Sequence, residues 1–263
     1  MSIKKNYGLK AGSENYKAYI GPGEKYDLVS AMQFNLLTFS GLREKHYLLD
    51  IGCGSLRAGK LFIPYLIPGR YFGIEPNAWL VDEGIKNELG AEILALKKPV
   101  FNHNEEFQLS VFGRKFDFIN AQSIFSHATK DQIGKCMNEA NRVMNEDAFF
   151  LATFVLGENE YEGDSWVYPG CVTYTREYID RTAAENGLCC EFIDWPHPNK
   201  QSWFIFTHIG NKHNLPEINA ISNVYSLKNK LRVCEERLSR IENNPFVKFG
   251  LAIRKNLKKI LPR

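Results

Sequence analysis

The stretch YLLDIGCGSLRAG at residues 47–59, followed by YFGIEP at residues 71–76, constrains the fold more than any other part of this chain. Tyr47, Leu48, Leu49 and Ile51 make an apolar run that reads as a buried strand, and Gly52 and Gly54 end it in a turn that opens a helix. Without a β-carbon the backbone can bend sharply there and let a ligand come close, while the next helix offers unpaired N–H groups. Residues 71–74 read as a second buried strand that delivers Glu75 at its carboxyl end, where a carboxylate can accept both hydroxyls of a ribose. Strand, glycine turn, helix, strand and acid together describe a nucleoside site.

The loop rules out two nucleotide motifs. A dinucleotide fingerprint would place its third glycine where this chain has Arg57, and the Gly-Lys-Ser/Thr of a P-loop is absent. The stretch instead resembles motif I of the class I S-adenosylmethionine-dependent methyltransferases, commonly D-x-G-x-G-x-G, with Asp50, Gly52 and Gly54 matching and Leu56 in place of the third glycine. The resemblance implies a Rossmann-like α/β fold. Its seven-stranded sheet would run in the order 3-2-1-4-5-7-6, with strand 7 antiparallel and helices on both faces. It also implies S-adenosyl-L-methionine as cofactor, bound by Asp50, Gly52, Cys53, Gly54 and Glu75, with Arg57 holding the methionine carboxylate. Asn104, near the third strand, would contact the adenine, and Gln122 would stand at the tip of the fourth. Phe107, Leu109 and Val111 alternate as that third strand would.

Composition sets the outer bounds. With 263 residues, 44% hydrophobic and 13% aromatic, the chain can bury a full core, and one domain with an appendage fits it best. No run of about eighteen apolar residues and no signal-peptide core is visible, so a cytoplasmic body is expected. Its six cysteines form no C-x-x-C pair and read as small apolar residues in a reducing compartment. A net charge of +3 does not by itself imply nucleic acid. Residues 1–23 read as an N-terminal segment and candidate lid carrying Tyr16 and Tyr19, residues 24–212 as the methyltransferase domain, and residues 213–263 as a helical extension. In the extension, Val224, Leu227, Leu231, Cys234, Leu238 and Ile241 fall at heptad positions, so that residues 220–242 suit pairing with a second copy or docking on the chain's own domain. Residues 246–263 form a basic amphipathic pattern without acids, suited to an anionic membrane surface.

The acceptor is sought at the far ends of the later strands, where open α/β sheets bind ligands. The strand at residues 115–121 runs into QSIFSH, which is similar to the S-x-F-[ST]-H form carried by many small-molecule methyltransferases, and no Asn/Asp-Pro-Pro-Tyr/Phe block is present. Residues 156–172 set Glu158, Glu160, Tyr161, Asp164, Trp166 and Tyr168 among glycines. Carboxylates beside aromatic faces suit a hydroxyl-rich ring, and the same residues suit a solvated loop. The segment HPNKQSW resembles the H-P-R-G-Q-x-W block of methyltransferases found among bacterial polysaccharide genes, with Asn199 and Lys200 departing from Arg-Gly. That resemblance would bring His197 and Gln201 to the acceptor. A sugar hydroxyl has a high pKa and needs a base, and His127 and His197 are the two imidazoles expected on this edge. A metal alternative would draw on Glu158, Glu160 or Asp164, and no ligand spacing supports it. The expected activity is O-methylation of a sugar hydroxyl on a glycan or lipid-linked glycan. A protein, RNA or other small-molecule acceptor, and a non-catalytic module of the same fold, remain open alternatives.

Overall fold

The computed structural model describes residues 8–214 and, in the C-terminal extension, residues 231, 233–241, 243 and 244. Seven strands, β1 (Leu48–Ile51), β2 (Tyr71–Ile74), β3 (Val100–Asn102), β4 (Phe116–Ala121), β5 (Met144–Phe154), β6 (Leu188–Ile193) and β7 (Ser202–His208), form one sheet in the order β3-β2-β1-β4-β5-β7-β6. The pairs from β3 through β5 are parallel, and β7 runs antiparallel between β5 and β6, as the motif resemblance implies.

Two hydrophobic layers sandwich the sheet because successive side chains of a strand face opposite sides. Leu49, Ile119 and Phe150 point to one layer, where Ile133, Met137 and Ala140 of α6 (Lys130–Val143) and Ile179 of α7 (Arg176–Glu185) pack. Their neighbours Leu48, Phe118 and Leu151 point to the other, against Leu36 and Leu37 of α2 (Tyr26–Phe39) and Phe62 and Ile63 of α3 (Gly59–Tyr65). Side-chain caps open α6 and α7. Thr129 and Gln132 close a capping box on α6, and the Thr175 hydroxyl accepts the Tyr178 N–H at the head of α7. Asp117 pins the lower end of the sheet by accepting the Tyr47 N–H at 2.7 Å and the Asn145 amide at 2.6 Å.

One local expectation is corrected. The third strand is Val100–Asn102, paired with Phe72, Gly73 and Ile74, whereas Leu109–Phe112 is a 3-10 turn. That turn is fixed by the Glu139 carboxylate, which accepts both the backbone N–H and the hydroxyl of Ser110, so Leu109 is buried without any strand pairing. Asn77 caps no helix with its side chain; its amide instead donates to Glu75. Among the described residues no helix is long and apolar enough to cross a membrane. In the extension, residues 233–241 are helical and Leu231, Leu238 and Ile241 are exposed. The basic pattern at residues 246–263 and the heptad positions Val224 and Leu227 lie outside the described residues.

Both motif departures keep a glycine's backbone. Gly52, Gly54 and Leu56 have φ of +65°, +55° and +59°, and Lys200, where the resembled block has glycine, has φ of +59°. A left-handed non-glycine residue costs roughly 1–2 kcal/mol. Leu56 offsets this with a fully buried side chain, whereas Lys200 is exposed. Leu56→Gly should therefore lower stability by about 1–4 kcal/mol despite the relieved backbone. Lys200→Gly should raise it by roughly 0.5–1 kcal/mol. Urea denaturation of the two variants checks both signs.

Candidate active site

β1 and β4 are neighbours in the sheet, but the chain turns towards β2 after β1 and towards β5 after β4, and a crevice opens where these connections diverge. The Cys53 N–H donates to the Ile74 carbonyl at 3.0 Å, which ties the glycine loop to the tip of β2. Glu75 completes this tie. One carboxylate oxygen accepts the Gly54 N–H at 3.0 Å, and the other accepts the backbone N–H and side-chain amide of Asn77 at 3.0 and 2.9 Å. A carboxylate has about four acceptor positions, so Glu75 retains one for a ligand. Asp50 is buried beneath the loop and accepts from the Tyr71 hydroxyl at 2.7 Å and the Asn120 amide at 2.8 Å. Burial nevertheless raises its carboxyl to about 6, the two hydrogen bonds recovering only part of the lost hydration.

Arg57 is the unusual member. It is 8% exposed, donates through Nη1 to the Ile20 carbonyl at 2.9 Å and through Nη2 to Gln122 Oε1, and has no carboxylate within ion-pair distance among the described residues. Burial lowers its pKa, yet a guanidinium keeps its charge in proteins. A buried cation without an anion is costly, and the cavity it lines is the natural place for one.

That cavity encloses about 140 Å³. It brings together Asp50, Gly52, Cys53, Arg57, Glu75 and Gln122 of the expected cofactor set with His127 and Trp166 of the expected acceptor set. Small-molecule sites typically measure roughly 300–1,000 Å³. Two side chains sit close over the glycine turn: a β-carbon on Gly52 would lie 2.1 Å from Ile124 Cδ1, and one on Gly54 would lie 3.0 Å from Ile20 Cγ2. Both are flexible aliphatic chains rather than backbone. An acid that keeps an acceptor site, a cation with no carboxylate in contact and a glycine floor fit an adenosyl amino acid once those chains turn aside.

His127 faces the cavity in a defined tautomer. Its Nδ1 lies 2.9 Å from the Val167 carbonyl and 2.6 Å from that of Gly170, so Nδ1 carries the hydrogen and Nε2 keeps its lone pair. Burial lowers its pKa, leaving the ring neutral at pH 7. Trp166 and Tyr168 pack on it at 5.6 and 5.1 Å between ring centres. Gln201 stands one layer back. Its amide donates to Ser123 Oγ at 2.7 Å and its carbonyl accepts from Thr153, which in turn accepts the Ser123 N–H, so Ser123 is held at φ +62° on the cavity wall.

Several expected residues are placed elsewhere. His197 lies behind Gln122 and does not line the cavity, and burial together with Arg57 and Lys25 holds its pKa down to about 3, far from that of a working base. Asn104 spends its amide within its own turn, on Asn102 and Gln108. Glu158 and Asp164 are exposed, and the Tyr161 hydroxyl donates to the Ser165 carbonyl. The acidic half of this loop is drawn over α6 by the ion pair of Glu160 with Lys130 at 2.7 Å, so that only Trp166 and Tyr168 reach the cavity. Among the described residues no three His, Cys, Asp or Glu side chains converge as a metal site.

The N-terminal segment covers the crevice. Tyr16 and Lys17 of α1 (Tyr16–Tyr19) both contact the Glu88 carboxylate at 2.8 Å, the Tyr19 ring lies 5.1 Å from Trp79, and Tyr19 and Ile20 line the cavity. Gln33 also lines the cavity, at a position no motif marks. It is a buried glutamine on the core-facing side of α2 among Val29, Met32 and Leu36, and it accepts from Asn120 at 3.0 Å. A polar residue at a core position of a helix was the available signal.

Neither family models nor curated sequences match this chain. Its backbone does match solved structures. An S-adenosylmethionine-dependent methyltransferase from Clostridium acetobutylicum superposes with a TM-score of 0.51 at 14% identity, covering 70% of this chain and 92% of its own. The glycopeptide N-methyltransferase MtfA with bound S-adenosylhomocysteine gives 0.51 at 11% identity, over 69% and 90% of the two chains. This is the class I methyltransferase fold. The magnesium protoporphyrin IX methyltransferase of Synechocystis, also with S-adenosylhomocysteine, shares it with a TM-score of 0.50 at 14% identity, over 75% of this chain and 89% of that one.

The raised Asp50 carboxyl makes stability depend on pH in one direction. A folded pKa near 6, above the ordinary 3.8, contributes stability that is complete below 3.8 and lost as pH rises through 6. In urea unfolding from pH 4 to 7, the Asp50→Asn protein should gain on the wild type as pH rises.

Proposed function

We propose that this chain is an S-adenosylmethionine-dependent methyltransferase that transfers the methyl group to a hydroxyl. The observation that carries the reading is the presence, in one cavity, of Glu75 at the tip of β2 and of Arg57, a buried guanidinium without a carboxylate partner. Glu75 would accept from the ribose, Arg57 would bind the α-carboxylate, and Gly52 and Gly54 would form the floor. When bound, the cofactor supplies an electrophilic methyl on a sulfonium whose charge disappears on transfer. The protein's share is then alignment and exclusion of water, to which Tyr19, Trp166 and Tyr168 contribute as walls.

For a hydroxyl acceptor the remaining need is a proton acceptor. His127 suits it through its neutral ring, its Nδ1–H fixed by two carbonyls and its Nε2 lone pair. The acceptor we favour is a sugar hydroxyl on a glycan or lipid-linked glycan. Support comes from the HPNKQSW resemblance, in which Lys200 keeps the left-handed backbone of the block's glycine, and from Trp166, 41% exposed, as a face for a ring. On the same reading residues 246–263 hold the enzyme at an anionic membrane surface, and the exposed Leu231, Leu238 and Ile241 belong to a stripe that pairs two copies.

Calorimetry with S-adenosylmethionine tests the cofactor assignment, and absence of binding would remove it. Glu75→Ala should weaken that binding by about 1.5–3 kcal/mol, the range for a hydrogen bond to a charged group. With an acceptor found by labelled-methyl transfer into glycolipid and polysaccharide extracts, His127→Ala should lower kcat by roughly 10²–10⁴-fold at unchanged cofactor affinity. The wild-type rate should rise with pH through a pKa below 6.5 and be flat above neutrality.

A further inference from the structure

Gln122 stands between two hydrogen-bond donors with one acceptor to offer. On one side Arg57 Nη2 donates to its Oε1, and on the other its Nε2 lies 3.0 Å from His197 Nε2. The opposite ring nitrogen, Nδ1, receives the backbone N–H groups of Asn199 at 3.2 Å and Gln201 at 3.4 Å. A neutral ring must then carry its hydrogen on Nε2, directed at the Gln122 amide N–H₂. Turning the amide over gives its oxygen to His197 but sets the N–H₂ against Arg57. Moving the ring hydrogen to Nδ1 sets it against Asn199 and Gln201. Every arrangement leaves one donor facing another, whichever way the amide points. An imidazolium would add a second conflict, and burial with Arg57 and Lys25 nearby opposes it. The group lacks one acceptor, and Arg57 lacks a carboxylate in contact with it.

A carboxylate supplies both. We infer that Arg57, Gln122 and His197 form a carboxylate-recognition relay which, resting on the cofactor reading above, takes the amino-acid end of the methyl donor. The ligand carboxylate accepts from Arg57 Nη2, releasing Gln122 to turn over. Gln122 then donates its N–H₂ to the carboxylate and accepts from His197 Nε2–H, so every donor has an acceptor. His197 is a positioning residue: it favours the amide orientation that a carboxylate needs. The loop presenting it is itself held, because Lys25 Nζ reaches the Pro198 carbonyl at 3.0 Å and Asn199 Oδ1 at 3.1 Å. A partly satisfied buried network is costly, and completing it on binding turns that cost into selectivity for the carboxylate.

The test titrates the full chain with S-adenosylhomocysteine and with 5′-methylthioadenosine, which keeps the adenosyl thioether and lacks the amino acid. Gln122→Glu places a permanent carboxylate beside Arg57 that also accepts from His197, so the protein satisfies its own relay. Its affinity for S-adenosylhomocysteine should fall by roughly tenfold or more, towards that for 5′-methylthioadenosine, while affinity for the latter stays within about twofold. Its Tm should rise. His197→Phe should narrow the preference for S-adenosylhomocysteine over 5′-methylthioadenosine without loss of the latter. An unchanged preference in either variant, an equal loss for both ligands, or a lowered Tm in Gln122→Glu overturns the relay. Wild-type protein that binds neither ligand overturns the cofactor reading itself. Wild-type protein that binds both equally keeps the nucleoside pocket and overturns the carboxylate assignment.

Discussion

A guanidinium removed from water with no carboxylate in contact sets the terms for the rest of the crevice. The desolvation cost of such a charge is several kcal/mol even after relaxation, and neutral carbonyls recover only part of it. Arg57 is supported by Ile20 from the N-terminal segment and by Gln122 from the tip of β4, two pieces far apart in the chain. The fold holds these pieces around an unmet charge, which is how binding sites differ from cores: interactions that would be satisfied internally elsewhere are left for a ligand.

The sheet makes this arrangement affordable. With β1 and β4 adjacent and both buried on each face, the loops after them are fixed at their roots by nine buried strand residues. Apart from Asp117 at the foot of β4, the charged and polar groups of these strands lie at their carboxyl ends. Asp50 and Asn120 sit side by side there, bonded to each other and to Tyr71 and Gln33. On the proposed reading the segment that carries Tyr19 and Ile20 has to move for the cofactor to enter. Its attachment suits movement, since it rests on a few ring contacts and on the shared Glu88 carboxylate rather than on the sheet.

The fold was legible because its signals are local and repeated: apolar strands, a glycine turn, and a terminal acid on the next strand. The strand order followed from the motif resemblance and the structure has it. Errors arose where one side chain overrode a pattern. Phe107, Leu109 and Val111 alternate like a strand, yet Glu139 fixes Ser110 in a 3-10 turn between them. In the loop at residues 156–172 nothing in the sequence says that Lys130, on a different helix, will pull Glu160 away from the crevice. The two histidines were equivalent as letters. Only their surroundings separate them, carbonyl oxygens around His127 Nδ1 and N–H donors around both nitrogens of His197.

Leu56 and Lys200 carry a wider consequence. A glycine fingerprint records a torsion angle, and the letter is only the cheapest way to reach it. Side chains unbranched at Cβ can reach it too when packing or exposure tolerates them, whereas Val, Ile and Thr are all but barred from the left-handed region. Substitution at these two positions should therefore wander among side chains unbranched at Cβ over evolutionary time, leaving the path of the loop unaltered while its spelling drifts.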